Sequence, residues 1–404
     1  MIVPHNTFCV LPWVSIEASP VGTARPCCLF REEVVDDSGE KYVLGSTTLN
    51  GIRRSTYMQQ IRQQFINAQQ PSECNRCWSE EAAGRTSKRM HSLIRLDQIL
   101  KDQVVWTDNA KDLLFVDLKL GNICNLKCRI CGSWSSSSYA TEELKFTTKE
   151  QKKSSFHYEM LAHGAWPRSN TQFWQDLYAN ASQIRYLEFT GGEPFMIREH
   201  FDFLEYLVGQ GLSNNIEIHY NTNGTIVPDN AELWNNFKHV EIAFSVDDVG
   251  ARYEYQRSGA KWDDVNHNID RFIDLAHQSQ GVISLQICCT INVFNVFYLE
   301  QIAQWIEPRL EEFDFVYWNM LHDAPEFCIS NLPASAKQSI AQRLSSATIN
   351  NKFKQEFDRV IAFMMQGQQD LRVELVKHIR QTDYRRGELL TNTHLELAYI
   401  IGYE

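Results

Sequence analysis

Three cysteines at fixed spacing, Cys124, Cys128 and Cys131, follow directly on an alternating apolar segment, and no other feature restricts the chain as much. In that segment, LLFVDLKL (residues 113–120), Leu114, Val116, Leu118 and Leu120 alternate with Asp117 and Lys119, the period-two pattern of a strand. The stretch GNICNLKCRICGS then sets the thiols in a CxxxCxxC array. With 11 cysteines in 404 residues, this array arises by chance roughly 0.008 times per chain of this composition, so it carries information. Three thiolates on one short loop can hold three corners of a cubane [4Fe-4S] cluster and leave the fourth iron open to a ligand. Zinc is the competing reading, because CxxC spacings also serve tetrahedral Zn²⁺. A fourth ligand or a His close in sequence is missing, and Gly132, Ser133 and Trp134 follow instead, which suits zinc less well.

Strand and helix patterns alternate from this point on. A second strand, Tyr186–Thr190, ends in Gly191 and Gly192, and a helical stretch with Phe201, Leu204 and Val208 on one face is closed by Gly211. Further strands read as Ile216–Tyr220, Val240–Val246, Ile283–Ile291 and Phe313–Trp318, six in all. Between them, Val265, Ile269, Phe272 and Ala276, and then Leu299, Ile302 and Ile306, recur at helical spacing. Such alternation predicts an α/β fold with a parallel sheet. Six units are too few to close an eight-stranded barrel, so the expectation is a partial (β/α)6 barrel with reactive groups at the C-terminal strand ends. Residues 1–92 are rich in cysteine and turns and read as a small separate module, 93–112 as a helix and connector, 113–320 as the partial barrel, and 321–404 as a helical C-terminal region.

CxxxCxxC at the mouth of the first strand of such a barrel resembles the radical S-adenosylmethionine (SAM) superfamily. The resemblance implies that the cluster iron without a protein ligand chelates SAM, and that reductive cleavage yields a 5′-deoxyadenosyl radical that takes a hydrogen atom from substrate. The residue before the last cysteine, often aromatic in that family, is Ile130 here. FTGGEP, with Gly191, Gly192, Glu193 and Pro194, is similar to the family's GGEP motif, which implies that Glu193 holds the SAM amino group; two glycines after a strand are otherwise a tight turn. Asn221, Thr222 and Asn223 in YNTNG are similar to a segment near the SAM ribose, and Asn-Gly is also an ordinary turn. FSVDD, with Ser245 and Asp247, followed by Arg257, resembles the pattern whose Arg pairs with the SAM carboxylate, a surface salt bridge being the plainer reading. Thr290, Asn292 and Asn295 in CCTINVFN resemble a further family segment. Cys288 and Cys289 read as small core residues, Cys328 as a packing thiol, and Trp318 and Asn319 as candidates for the substrate pocket.

The N-terminal run FCVLPWVSIEASPVGTARPCC, with CxxC later in PSECNRCW, resembles the opening half of a SPASM domain, called twitch, which binds one auxiliary [4Fe-4S] cluster. The implied ligands are Cys9, Cys27, Cys74 and Cys77, with Cys28 as the alternate to Cys27. Four ligands saturate a cluster, so its implied task is electron transfer; a structural zinc knuckle is the alternative. In common relatives the auxiliary domain follows the barrel, whereas here it precedes it, which leaves the substrate open.

Composition narrows the partners. A formal charge of −11, from 50 acidic and 39 basic residues without a long Lys/Arg block, makes nucleic acid a poor partner. A signal peptide and an 18-residue apolar run are both missing, so the expected location is the cytoplasm, without a membrane. There cysteines serve metals more than disulfides. The expected cofactors are two [4Fe-4S] clusters and SAM, with flavodoxin or ferredoxin as electron donor. The expected substrate is a ribosomally made peptide that is crosslinked, cyclised or dehydrogenated. A sugar or cyclitol dehydrogenase is the second reading, and a noncatalytic metal-binding or electron-carrier protein the third. The sequence names no catalytic acid or base; Asp247, Asp248 and Tyr220 are only nearby candidates.

Overall fold

A computed structural model of the chain describes residues 3–82, 84, 86–99, 104–367 and 369–403. Ten strands occur among them: β1 (Ser15–Ala18), β2 (Ala24–Arg25), β3 (Phe115–Lys119), β4 (Lys127–Cys128), β5 (Tyr186–Thr190), β6 (Glu217–Thr222), β7 (His239–Ser245), β8 (Arg257–Ser258), β9 (Ile283–Ile291) and β10 (Phe315–Met320). The fold is α/β, with a mostly parallel central sheet, surrounding helices and a helical C-terminal region. Two compact units divide the chain. The first comprises Met1–Asn125, Ser133–Asn221 and Asn230–Glu241; the second comprises Leu126–Gly132, Thr222–Asp229 and Ile242–Glu404.

In the first unit the strand order is β6-β5-β3-β1-β2. All pairings are parallel except that of β1 with β2. Strands β3 and β5 fall where alternation predicts them. Strand β6 starts at Glu217 rather than Ile216, because the Ile216 N–H is used in a turn to Ser213 O (2.9 Å). Strand β1 was not foreseen. It is only four residues long, its polar Ser15 and Glu17 are buried like Ile16 and Ala18, and its partner β3 lies a hundred residues further on. Residues of the expected N-terminal module thus pair directly with the first expected barrel strand. Register lines up a polar row across the sheet, with Glu17 opposite Asp117, Asp117 opposite Glu188, and Glu188 opposite His219.

Behind β1, an apolar cluster of Phe8, Val10, Leu11, Trp13, Phe30, Phe65, Leu114 and Phe115 forms a core. Each such side chain contributes about 1.5–3 kcal/mol on burial. Two fully buried arginines tie it to the connector: Arg53 donates to the carbonyls of Trp13 (2.7 Å) and Lys111 (2.6 Å), and Arg62 to that of Pro12 (3.0 Å). Residues 100–103 of the expected connector lie outside the described residues.

The second unit holds β10-β9-β7 and the antiparallel pair β4-β8. β9 spans the predicted range, while β10 begins at Phe315, two residues late, because Phe313 caps a 3-10 turn, Glu307–Glu312. Its amphipathic helix Trp262–Gln278 buries Val265, Ile269, Phe272 and Ile273. Residues 321–404 supply the helices Ala334–Ser346, Asn351–Gln366, Arg372–Arg386 and Leu395–Ile401, as periodicity predicts.

Candidate cluster and cofactor sites

Short turns after β3 and β5 carry the candidate residues of the first unit. Gly121 has φ +79°, and a Cβ there would meet the Gly164 carbonyl at 1.9 Å. Asn122, buried, donates to the carbonyls of Ser133 (2.8 Å) and Met160 (3.0 Å), fixing the start of the cysteine loop. Cys124 is buried; its N–H donates to Ser137 Oγ (3.2 Å) and its carbonyl accepts from Ser138 Oγ (2.7 Å). Gly192 (φ +24°) has no room for a side chain, since a Cβ would stand 2.2 Å from the Ile123 carbonyl. The next residue closes the contact, with the Glu193 N–H donating to Ile123 O (2.8 Å). The GGEP turn and the start of the cysteine loop, up to Ile123, are therefore joined by a hydrogen bond within the first unit. Glu193 is buried, and its Oε1 accepts from the Phe195 N–H (3.2 Å), capping the turn Pro194–Met196. Asn221 Nδ2 contacts His219 Nε2 (3.0 Å).

Cys128 and Cys131 belong to the second unit. Cys128 pairs with Arg257 across β4 and β8, and Arg257 Nη1 lies 3.9 Å from the Cys128 sulfur. A hydrogen bond from Cys131, helped by the Arg257 charge, lowers the Cys128 thiol to about 7. Arg257 is no surface salt bridge. It is buried and binds Asp247 Oδ2 through Nε (2.9 Å) and Nη2 (2.7 Å), while Asp247 Oδ1 accepts from the Thr290 N–H (2.8 Å). Asn292 Oδ1 accepts from the Phe294 N–H (2.8 Å), and Asn295 donates to the Asp247 carbonyl (2.8 Å). Thr222 and Asn223 each accept a backbone N–H two residues on, from Gly224 (3.1 Å) and Thr225 (2.9 Å), as turn-forming side chains do. Ser245 ends β7 half-buried. Several residues marked out by motif thus hold the loops at strand ends in shape. Asp248, also buried, is bound by Arg252 (3.1 Å) and Gln256 (2.9 Å).

A separate cavity lies within the first unit. Cys9, Cys27, Cys74 and Cys77 line it with Leu11, Leu29, Phe30, Phe65, Trp78, Lys88 and Arg89, and it is partly open to solvent. Four chain segments contribute. Cys9 precedes the short helix Leu11–Val14, Cys27 follows β2, Cys74 ends a 3-10 turn, and Cys77 lies in the helix Asn75–Ala82. Burial, and then the neighbouring thiols, push Cys9 and Cys74 up and Cys27 up to about 12; burial also raises Cys77. A group that takes four thiolates would discharge this strain, and Lys88 and Arg89 would offset its negative charge. The donor set and the cavity therefore fit a cluster or a zinc ion.

Cys28 faces elsewhere. Its sulfur and carboxylate oxygens of Asp117 and Glu188 lie within 4.8 Å of one another, and Lys88 Nζ stands 2.5 Å from Glu188. The adjacent cysteines thus part company, a division that sequence spacing leaves open. Also unforeseen is Arg129, inside the cysteine loop, whose guanidinium is held by Asp383 (2.5 Å).

Residues 118–306 match the family model described as the radical SAM superfamily. No curated protein matches the chain. Among solved structures, "Native anSMEcpe with bound AdoMet and Cp18Cys peptide" is similar at 14% identity over 57% of this chain and 58% of that one, with a TM-score of 0.34. "Native anSMEcpe with bound AdoMet" is similar at 15% identity over 68% and 62%, with a TM-score of 0.32. SuiB of Streptococcus suis bound to S-adenosylmethionine is similar at 14% identity over 79% and 65%, with a TM-score of 0.33. Each match spans less than two thirds of the solved chain.

Proposed function

We propose that this chain is a radical SAM enzyme whose catalytic cluster is held by Cys124, Cys128 and Cys131. The observation that carries this reading is that the CxxxCxxC loop falls inside the residues matching the radical SAM superfamily, 118–306. A cluster held by these three thiolates would keep one iron without a protein ligand, on which SAM would bind and be reductively cleaved. The chain's own residues prepare the site. Arg257 favours the Cys128 thiolate, Gly191 and Gly192 bring the GGEP backbone onto the cysteine loop, and Glu193, Asn221, Thr222, Asn223, Ser245, Asp247, Thr290 and Asn292 are the candidate surroundings of SAM.

A second cluster is proposed in the four-cysteine cavity, with Cys9, Cys27, Cys74 and Cys77 as ligands and Cys28 outside the set. Bound there, it would supply electron transfer. The substrate class proposed first is a ribosomally made peptide, modified by crosslinking, cyclisation or dehydrogenation, on the resemblance of residues 1–92 to a twitch module. A polyhydroxylated small molecule is the second reading, favoured by the polar row Glu17, Asp117, Glu188 and His219 across the sheet. The electron donor is proposed to be a flavodoxin or ferredoxin and the location the cytoplasm; among the described residues, no helix is long and apolar enough to cross a membrane.

Anaerobic reconstitution tests the reading. The expected result is about eight irons per chain and 5′-deoxyadenosine formed only with reductant. A stable zinc form that leaves SAM intact overturns it in favour of a metal-binding protein. Deuterium transfer from labelled candidates into 5′-deoxyadenosine separates peptide from small-molecule substrates.

A further inference from the structure

Arg129 stands between two cysteines of the loop, in Cys-Arg-Ile-Cys, and is only 3% exposed. A buried guanidinium is tolerated only when charge and hydrogen bonds are met in full. Here the C-terminal region supplies both opposing carboxylates. Arg129 Nη2 donates to Asp383 Oδ1 at 2.5 Å and also pairs with Glu388. Nε donates to the Tyr255 carbonyl (2.9 Å), the guanidinium lies 3.6 Å from the centre of the Tyr255 ring, and the Arg129 N–H donates to the Gln256 carbonyl (2.8 Å).

Asp383 is the hub of this network and is 2% exposed. Its Oδ1 accepts from Arg129 and from the Tyr255 hydroxyl (2.8 Å), and its Oδ2 accepts from the Tyr403 hydroxyl (2.6 Å) and the Leu390 N–H (2.8 Å). Every donor is buried or nearly so, and they come from the cysteine loop, from the helix Gly250–Gln256, and from two places in the last fifteen residues. The backbone is shaped for it: the helix Arg372–Arg386 stops at Gly387 in the left-handed region (φ +65°), which turns the chain so that Glu388 and Leu390 come back onto Asp383.

We propose that Asp383, acting through Arg129, is a positioning residue for the catalytic cluster, so that the C-terminal region sets the geometry of the loop carrying Cys128 and Cys131. The inference rests on the radical SAM reading for its consequence, although the clamp itself is independent of any cluster. A loop with three ligands has no fourth protein tether to hold its shape, and outer-shell partners of ligands govern affinity at metal sites. Asp383 lies outside the candidate ligand set; its role is to deny the loop other conformations.

The test uses the full-length chain and the variants Asp383→Asn and Tyr403→Phe. Asp383→Asn keeps the size of the side chain but removes the charge opposite Arg129. In the metal-free chain, hydrogen exchange of residues 126–132 is expected to rise about 10- to 100-fold in Asp383→Asn, while exchange in β5 stays unchanged. In the reconstituted chain, iron loss to a chelator is expected to accelerate by about the same factor for one cluster only, and the electron paramagnetic resonance signal of the reduced catalytic cluster is expected to change on SAM addition less than in the unaltered chain. Tyr403→Phe removes one hydroxyl and is expected to show a smaller change of the same kind, which keeps the test open if Asp383→Asn does not fold. Loop exchange and cluster spectrum unaltered in both variants overturns the proposal. Altered exchange in a chain that never cleaves SAM upholds the clamp and sinks the enzymatic reading instead.

Discussion

At the scale of single residues, two buried acids show how environment decides chemistry. Asp247 meets Arg257 through two hydrogen bonds and Thr290 through a third, so its charge is matched. Asp117 has no hydrogen bond to either carboxylate oxygen; its nearest cation is Lys88 at 3.5 Å, which Glu188 holds more closely. Burial first, and the Glu188 charge second, raise Asp117 to about 7. The sign follows. The folded state holds the Asp117 proton where the unfolded chain has already lost it, so the stabilising contribution is complete below about pH 4 and disappears as pH rises through about 7. Asp117→Asn, which cannot ionise, is therefore expected to flatten the fall in melting temperature between pH 5 and 8. It should gain on the unaltered chain at pH 8 by an amount on the order of 2–4 kcal/mol. Thermal melts of both proteins across that range decide it, and parallel curves would show that Asp117 is ionised throughout.

At the scale of elements, the sequence showed what is periodic and hid what is paired. Strands Tyr186–Thr190 and Ile283–Ile291 were legible because each alternates over at least five residues and is bounded by glycine or by polar turns. Strand β1 was not, because Glu17 is buried as deeply as Ile16 and its hydrogen bonds go to a partner far along the chain. The same limit applies to the sites. CxxxCxxC and GGEP are local, and so were found; the Gly192 contact with the cysteine loop and the Asp383 network are long-range, and only the fold reveals them. Cys27 and Cys28 are the sharpest case, since adjacent identical residues carry no sequence signal to tell them apart. In the structure Cys27 lines the cavity with Cys9, Cys74 and Cys77, whereas Cys28 lies against Asp117 and Glu188. Replacing Cys27 by Ala is therefore expected to lower reconstituted iron from about eight to about four per chain, and Cys28→Ala to leave it near eight. Equal losses in the two variants would return both cysteines to the ligand set.

At the scale of the whole molecule, the two compact units depend on bound groups to different degrees. The second unit carries long helices and a saturated hydrogen-bond network around Asp383, so most of its burial is complete without a cofactor. The N-terminal part of the first unit is different. Between Val3 and Ala82 it has two short strands and only one helix of more than ten residues, and it surrounds a cavity lined by four thiols whose ionisation is suppressed by burial. Such a segment resembles a small module that relies on its metal for cohesion. A ligand that binds only the folded state adds its binding free energy to stability. Removal of the proposed auxiliary cluster is therefore expected to lower the melting temperature and to free amides around Cys9, Cys27 and Cys77 for exchange, while amides of the helix Trp262–Gln278 keep their protection. The comparison is between the reconstituted chain and the variant in which Cys9, Cys27, Cys74 and Cys77 are all Ala, followed residue by residue in hydrogen exchange. If protection around the former cavity survives the loss of all four thiols, the apolar cluster of Phe8, Trp13, Phe30 and Phe65 suffices to hold the segment without any bound metal.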